Sequence, residues 1–338
     1  MTKHNDRAAS TQGSCQLSSN ANLGFRGRSL RMFPLFAVIS LVGCAGPVDS
    51  VDEDMDEDVG TAADAVTGNA CTTPSANDTA ALNKINQIRT SLGNGMGAVN
   101  CDNKIRTAAQ KHGLYQGTNN IMTHTEDPTK PNYYATNFWE RMTKAGYTGS
   151  AKSEVISSYG NPTSAINQWM DSALHRAPFM DYTVGTFGFG FGTVSGTAKF
   201  GTLDFGGGGV VPSQGSYAIW PVNNATGIRR GFDCNTETPK PCSSSTAGYP
   251  IMFSTSDALV VTHHTLKVNA TGAVVGHLFL KKETDSSKPG YYLGKNQVVM
   301  IPNSTLAANT KYRVELGGTL APDYVFLHTY YFTTGSSI

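Results

Sequence analysis

Charge is scarce in this 338-residue chain: 15% of residues are charged and the formal balance is +1. A clustered basic face that would grip nucleic acid is therefore not expected. Long apolar runs are lacking too. The one uninterrupted stretch, Met32 to Val42, is about half the roughly 20 residues that a membrane-spanning helix needs. No Cys-x-x-Cys spacing occurs, which argues against a cysteine-rich zinc site. A G-x-S-x-G elbow, a P-loop and a dinucleotide fingerprint are all missing, and no Ser or Cys is marked as a nucleophile. The run Gly206 to Gly209 leads into Val210-Val211-Pro212 rather than into a helix. What is abundant is glycine, 36 residues, with 39% hydrophobic residues. That length and composition suit two modest cores and a leader.

The short apolar run follows Arg26, Arg28 and Arg31 and ends Leu41-Val42-Gly43-Cys44. A positive region followed by an apolar one reads as a signal peptide, and its end resembles a bacterial lipobox. The resemblance implies cleavage before Cys44, lipidation of that thiol, and a place in the cell envelope at the outer membrane or surface. The alternative is an ordinary signal peptide cut near Ala45 and a secreted product. Asp52-Glu53-Asp54 and Asp56-Glu57-Asp58 then repel one another, so 45–72 is expected to be an extended acidic tether. With Cys15 in the leader and Cys44 lipidated, four cysteines remain and allow three pairings. Their spacing favours Cys71–Cys101 and Cys234–Cys242.

Helical periodicity begins at Asn77 or Asp78 as N-cap, with Leu82, Ile85, Ile88 and Leu92 on one face. Ile105, Ala108, Ala109, His112 and Tyr115 form a second stripe. Phe138, Met142 and Ala145 form a third, ended by Gly146. Asn161 and Pro162 open a fourth helix through Ile166, Trp169 and Met170. Strands are expected over 184–192 and 199–205. Beyond about residue 212 the texture becomes β-rich, with runs at 259–261, 266–268, 273–280, 297–301, 312–316 and 330–333. A second, all-β domain over 211–338 follows from that change.

Over 78–208 an ordered set of motifs resembles the CAP (SCP-like) family. In order they are Asn83/Asn86 with Arg89, Ala108-Ala109-Gln110-Lys111-His112, His124, and Glu140-Arg141-Met142 with Ala145-Gly146-Tyr147. Glu154, Trp169-Met170-Asp171-Ser172-Ala173-Leu174-His175-Arg176, Gly188 to Gly192 and Asp204-Phe205-Gly206 complete the set. The resemblance implies an α-β-α sandwich over 73–210 with a cleft lined by His124, His175 and Glu154. Two departures stand out. Ser153-Glu154-Val155 replaces the family's Gly-Glu-Asn, and Ser172 stands where a second glutamate belongs. Asp171 would point about 100° away on a helix and is a poor substitute. The C-terminal region resembles bacterial Ig-like modules through Leu306, Thr310, Tyr312, Val314, Leu316 and Tyr331-Phe332-Thr333-Thr334.

Three functions are compatible with these residues. A surface protein would bind a lipid, glycan or peptide in the cleft. A hydrolase would use His124, Glu154 and His175 for acid–base chemistry, or His124 and His175 to hold zinc. A structural or adhesive envelope protein would leave the cleft idle. The missing second glutamate favours the first and third. Outside the cleft, His112 reads as a satisfied core histidine, and His175 as a cation at a helix C-terminus if it has no site role. Glu140 reads as an exposed partner of Arg141 or Lys144. His263 and His264 read as alternate-face strand residues.

Overall fold

The structure, a computed structural model, describes residues 68–210, 212–282 and 292–338. The leader, Cys44 and all but the last residues of the acidic tether lie outside these. Helix α1 (Ala76–Leu92) opens earlier than the periodicity suggested. Ser75 is its N-cap, because its hydroxyl accepts from the Asp78 amide while the Asp78 carboxylate accepts from the Ser75 amide. Asp78 is thus the third residue of the first turn rather than the cap. Strand β1 (Asn100–Cys101) carries one half of the Cys71–Cys101 disulfide, and Asp102 caps α2 (Asn103–Asn119). Helix α3 (Phe138–Lys144), strand β2 (Ala151–Ser157) and helix α4 (Pro162–Met170) follow. The hairpin β3 (Thr186–Val194) and β4 (Thr197–Gly206) completes a sheet of order β1-β3-β4-β2.

Two-residue alternation in β3 explains how helices cover both faces of that sheet. Phe187 and Phe189 point to one side and join Ile85, Ile88, Ile166 and Trp169 in the core beneath α1 and α4. Gly188, Gly190 and Gly192 point to the other side, where α2 lies against the strand. A Cβ on Gly188 would sit 2.1 Å from the Arg106 amide nitrogen, and one on Gly190 2.2 Å from the Ala109 carbonyl carbon. Ile105, Ala108 and Met142 fill the rest of this second layer. The result is helix, sheet, helix.

After residue 216 the chain is almost entirely β. One four-stranded sheet runs β10 (Leu259–Val268), β13 (Lys311–Leu320), β14 (Tyr324–Thr334) and β6 (Ala225–Ile228). The other runs β11 (His277–Lys281), β12 (Gln297–Pro302), β9 (Ile251–Thr255) and β5 (Tyr217–Trp220). Phe253 of the second sheet stacks on Phe326 of the first at 5.6 Å between ring centres. A small pair, β7 (Gly231–Asp233) and β8 (Thr246–Gly248), brackets the Cys234–Cys242 disulfide. Strand β9 is buried at every position, which erases the polar half of an alternating pattern. The two expected strands at 259–261 and 266–268 are one strand, bent by a bulge between Val261 and His263.

The helical and β-rich regions share one continuous core. Trp169 and Phe179 belong to the same buried cluster as Ile251, Phe253, Val314 and Phe332. Polar contacts reinforce the seam: the Gln297 amide donates to the Ala177 carbonyl, the Ser254 hydroxyl to Met180 and the fully buried Arg176 guanidinium to Pro250.

Candidate functional site

On the α2 and α3 side of the sheet lies a buried polar cluster. Glu154 of β2 and Asp204 of β4 are register partners and point under the helices. Arg141 of α3 is fully buried beside them. Its guanidinium donates to the Glu154 carboxylate, to the His124 carbonyl at 3.2 Å and to the Thr136 carbonyl at 3.0 Å. This one side chain therefore pins the 124–136 loop to the sheet. Glu140 accepts from the Asn137 amide at 2.9 Å, capping the helix, and does not pair with Arg141 as the sequence suggested.

His112 of α2 is fully buried, as expected for a satisfied core histidine. Its Nδ1 lies 2.9 Å from a Glu126 carboxylate oxygen and its Nε2 2.7 Å from the Thr123 carbonyl. Two acceptors face the ring: Nε2 donates to the Thr123 carbonyl and Nδ1 meets the Glu126 carboxylate. His124, in the loop after α2, is the exposed member. Its Nδ1 is 2.9 Å from Glu154 Oε1, while its side chain keeps 47% of its surface. Against a carboxylate Nδ1 must donate, which leaves Nε2 as the atom offered to solvent. Among the described residues Nε2 has no protein partner.

The electrostatics of the cluster divide its acids. Burial pushes the Glu154 carboxyl up, but the His112 and Arg141 charges and the His124 hydrogen bond together outweigh it and hold the group down to about 2. Asp204 is moved the opposite way, well above the usual carboxylate range, first by burial and then by the Glu154 charge. Neither Asp204 oxygen has a donor from the protein. A proton on Asp204, directed at Glu154, satisfies both facts. Ionised Glu154 thus orients His124 while neutral Asp204 lies behind it.

His175 is not part of this arrangement. Helix α4 ends at Met170, so Ser172 to His175 form a turn rather than a helix end, and the helical estimate for Asp171 does not apply. The His175 Nδ1 lies 2.9 Å from Glu237, a residue from the disulfide-bracketed segment after β7. The same carboxylate accepts from the amides of Ala173 at 3.1 Å, Leu174 at 2.5 Å and His175 at 2.8 Å. The structure therefore brings His124 to Glu154 and gives His175 a different acid. Among the described residues no group of three His, Cys, Asp or Glu side chains is placed to hold a metal ion. Sequence reading missed Arg141, Glu126, Asp204 and Glu237 as partners. Asp204 carried a signal, since an acid alternating with Leu203 and Phe205 in a strand covered on both faces has to be buried.

A pocket of about 420 Å³ is lined by Thr123 and Thr125, the chain neighbours of His124, by Thr136, Tyr115 and Ile121, and by Glu126, Asp127 and Lys130. The model of the Cysteine-rich secretory protein family, CAP, matches residues 82–205. Over this segment the chain is similar to CAP domains. The match takes in every member of the His112, His124, Arg141, Glu154 and Asp204 cluster and stops short of Glu237. No curated protein matches the chain in sequence. The CAP match and two disulfides, Cys71–Cys101 and Cys234–Cys242, agree with an extracellular setting.

Proposed function

We propose that this chain is an exported, envelope-anchored CAP-domain protein that binds a hydroxyl-rich ligand, a glycan, in the pocket beside His124. The observation that carries the reading is a carboxylate-oriented histidine with an open Nε2, whose two chain neighbours line a pocket. Seven of the eight lining residues offer a hydroxyl, a carboxylate or an ammonium, and only Ile121 is purely apolar. Such walls offer a sugar several hydrogen-bonding groups. The C-terminal strands read as an Ig-like spacer, and Cys44 as the lipid anchor. Calorimetric titration of the exported chain with an oligosaccharide panel tests the binding claim. His124→Ala is expected to weaken binding about tenfold, the value of one hydrogen bond to a charged or strongly oriented group, with melting unchanged. Binding of phospholipid vesicles instead, or a glycan affinity indifferent to His124, overturns it.

A second reading is favoured by the same dyad. A histidine with Nδ1 on a carboxylate and Nε2 outward is arranged for acid–base hydrolysis or for one coordination position of zinc. For the hydrolase or the zinc site proposed from His124 and His175, the latter would have to leave Glu237. Equal zinc heats from wild type and a His124→Ala/His175→Ala double variant would remove the metal form of this reading.

A further inference from the structure

The hairpin joining β10 to β11 carries the chain from one sheet of the β-rich region to the other, along the edge strand of each. Two histidines meet there. His264 of β10 and His277 of β11 approach with Nδ1 of the first 2.8 Å from Nε2 of the second, their ring centres 5.1 Å apart. Both are half-buried, so water reaches them. The His277 Nδ1 lies 3.1 Å from the Val275 carbonyl and must donate to it. That contact places the His277 lone pair on Nε2, facing His264. His264 is held in its plane by Phe279, stacked at 4.0 Å with 7° between the rings.

We propose that His264 and His277 form a binding site for a tetragonal divalent transition metal ion, copper(II) or nickel(II), at the edge of the β-sandwich. Two imidazole nitrogens 2.8 Å apart, each about 2.0–2.1 Å from a common ion, subtend about 90° at it. A right angle between ligands fits the tetragonal geometry of copper(II) and nickel(II) and is too narrow for tetrahedral zinc. The second contact of His277, to a backbone carbonyl, is the outer-shell bond that ligating histidines use to fix their tautomer. Only one proton separates the two nitrogens in the metal-free pair. On binding, the ion takes the lone pairs of His264 Nδ1 and His277 Nε2, with His264 turning only within the plane that Phe279 fixes. The proton leaving His264 Nδ1 is replaced through solvent by one on its Nε2, so the ring stays neutral and no net proton is released. Water fills the remaining positions. The bound ion would tie one sheet edge to the other, 59 positions beyond the last residue of the CAP match at His264.

The test uses the exported chain, copper(II) chloride and nickel(II) chloride. One equivalent is expected to bind, with a copper(II) resonance spectrum split by two imidazole nitrogens and a heat independent of the buffer's own protonation enthalpy. His264→Gln and His277→Gln should each abolish that signal, while His263→Ala and His124→Ala retain it. Where a glutamine variant fails to fold, carbethoxylation of the wild type decides: copper(II) should protect His264 and His277 and leave His263 reactive. Binding that survives both glutamine substitutions, a site lost with His124, or absence of protection overturns the proposal.

Discussion

Asp204 and Glu154 differ by one methylene and share one buried face, yet they answer pH in opposite directions. Glu154, held down to about 2 from a usual 4.5, adds stability above the usual value and loses it as pH falls toward 2. Asp204, raised well above 3.8, does the reverse. The folded state keeps its proton where the unfolded chain would release it, so stability drains as pH rises beyond about 4. Asparagine mimics the protonated acid and can donate to Glu154. Asp204→Asn is therefore expected to stabilise the protein at pH 7, with the gain fading near pH 4. Urea midpoints at the two pH values measure it, and an equal effect at both would contradict a neutral Asp204. Glu154→Gln removes the closer of the two buried acids paired with Arg141, leaving Glu126 at 3.8 Å, and should cost about 3 kcal/mol in the same assay. Glu237→Ala strips an acceptor from three buried amides and from His175. A loss of about 3 kcal/mol is expected, at roughly 1–3 for each buried donor left unpaired and partly recovered by water.

Elements here are positioned by what side chains leave out as much as by what they bury. The glycines of β3 let α2 approach until backbone meets backbone, and Gly113 of α2 returns the favour against Phe191. Gly188→Ala would drive a methyl into the Arg106 backbone, with no flexible side chain there to yield. The helix must lift off the sheet, at a cost of about 3 kcal/mol, and His112 lifts with it. Chemical denaturation measures the cost, and the exposure of His112 to carbethoxylation reports the shift. The Cys71–Cys101 disulfide holds the segment before α1 against β1 with 4.8 Å between Cα atoms. Closing a 30-residue loop, it contributes about 3 kcal/mol through the unfolded chain.

At the scale of the molecule, the shared core predicts one cooperative unit where composition suggested two. A fragment ending at residue 210 would lose the β-rich half of the buried cluster to which Trp169, Phe179 and Met180 belong, and would lose Glu237 from the His175 turn. It is expected to lack a cooperative melting transition in calorimetry, whereas the exported chain shows a single one. Two separate transitions in the full chain would refute the shared core. The proposed anchor belongs to this scale as well: Cys44→Ser should move the protein from the membrane fraction to the medium.

Local rules decided a good deal. The four helices, the strands at 186–194 and 197–206, both disulfides and the CAP motifs were legible because caps, periodicity and ordered motifs act over a few residues. His112 was legible as core for the same reason, since it sits on the apolar stripe of α2. Only tertiary structure could decide which acid each histidine meets. His124 and Glu154 lie 30 positions apart, His175 and Glu237 62 apart, and no spacing rule links them. Their pairing depends on where α3 drops Arg141 and where a disulfide-bracketed loop delivers a carboxylate. Those are long-range outcomes of packing, invisible to any window of neighbouring residues.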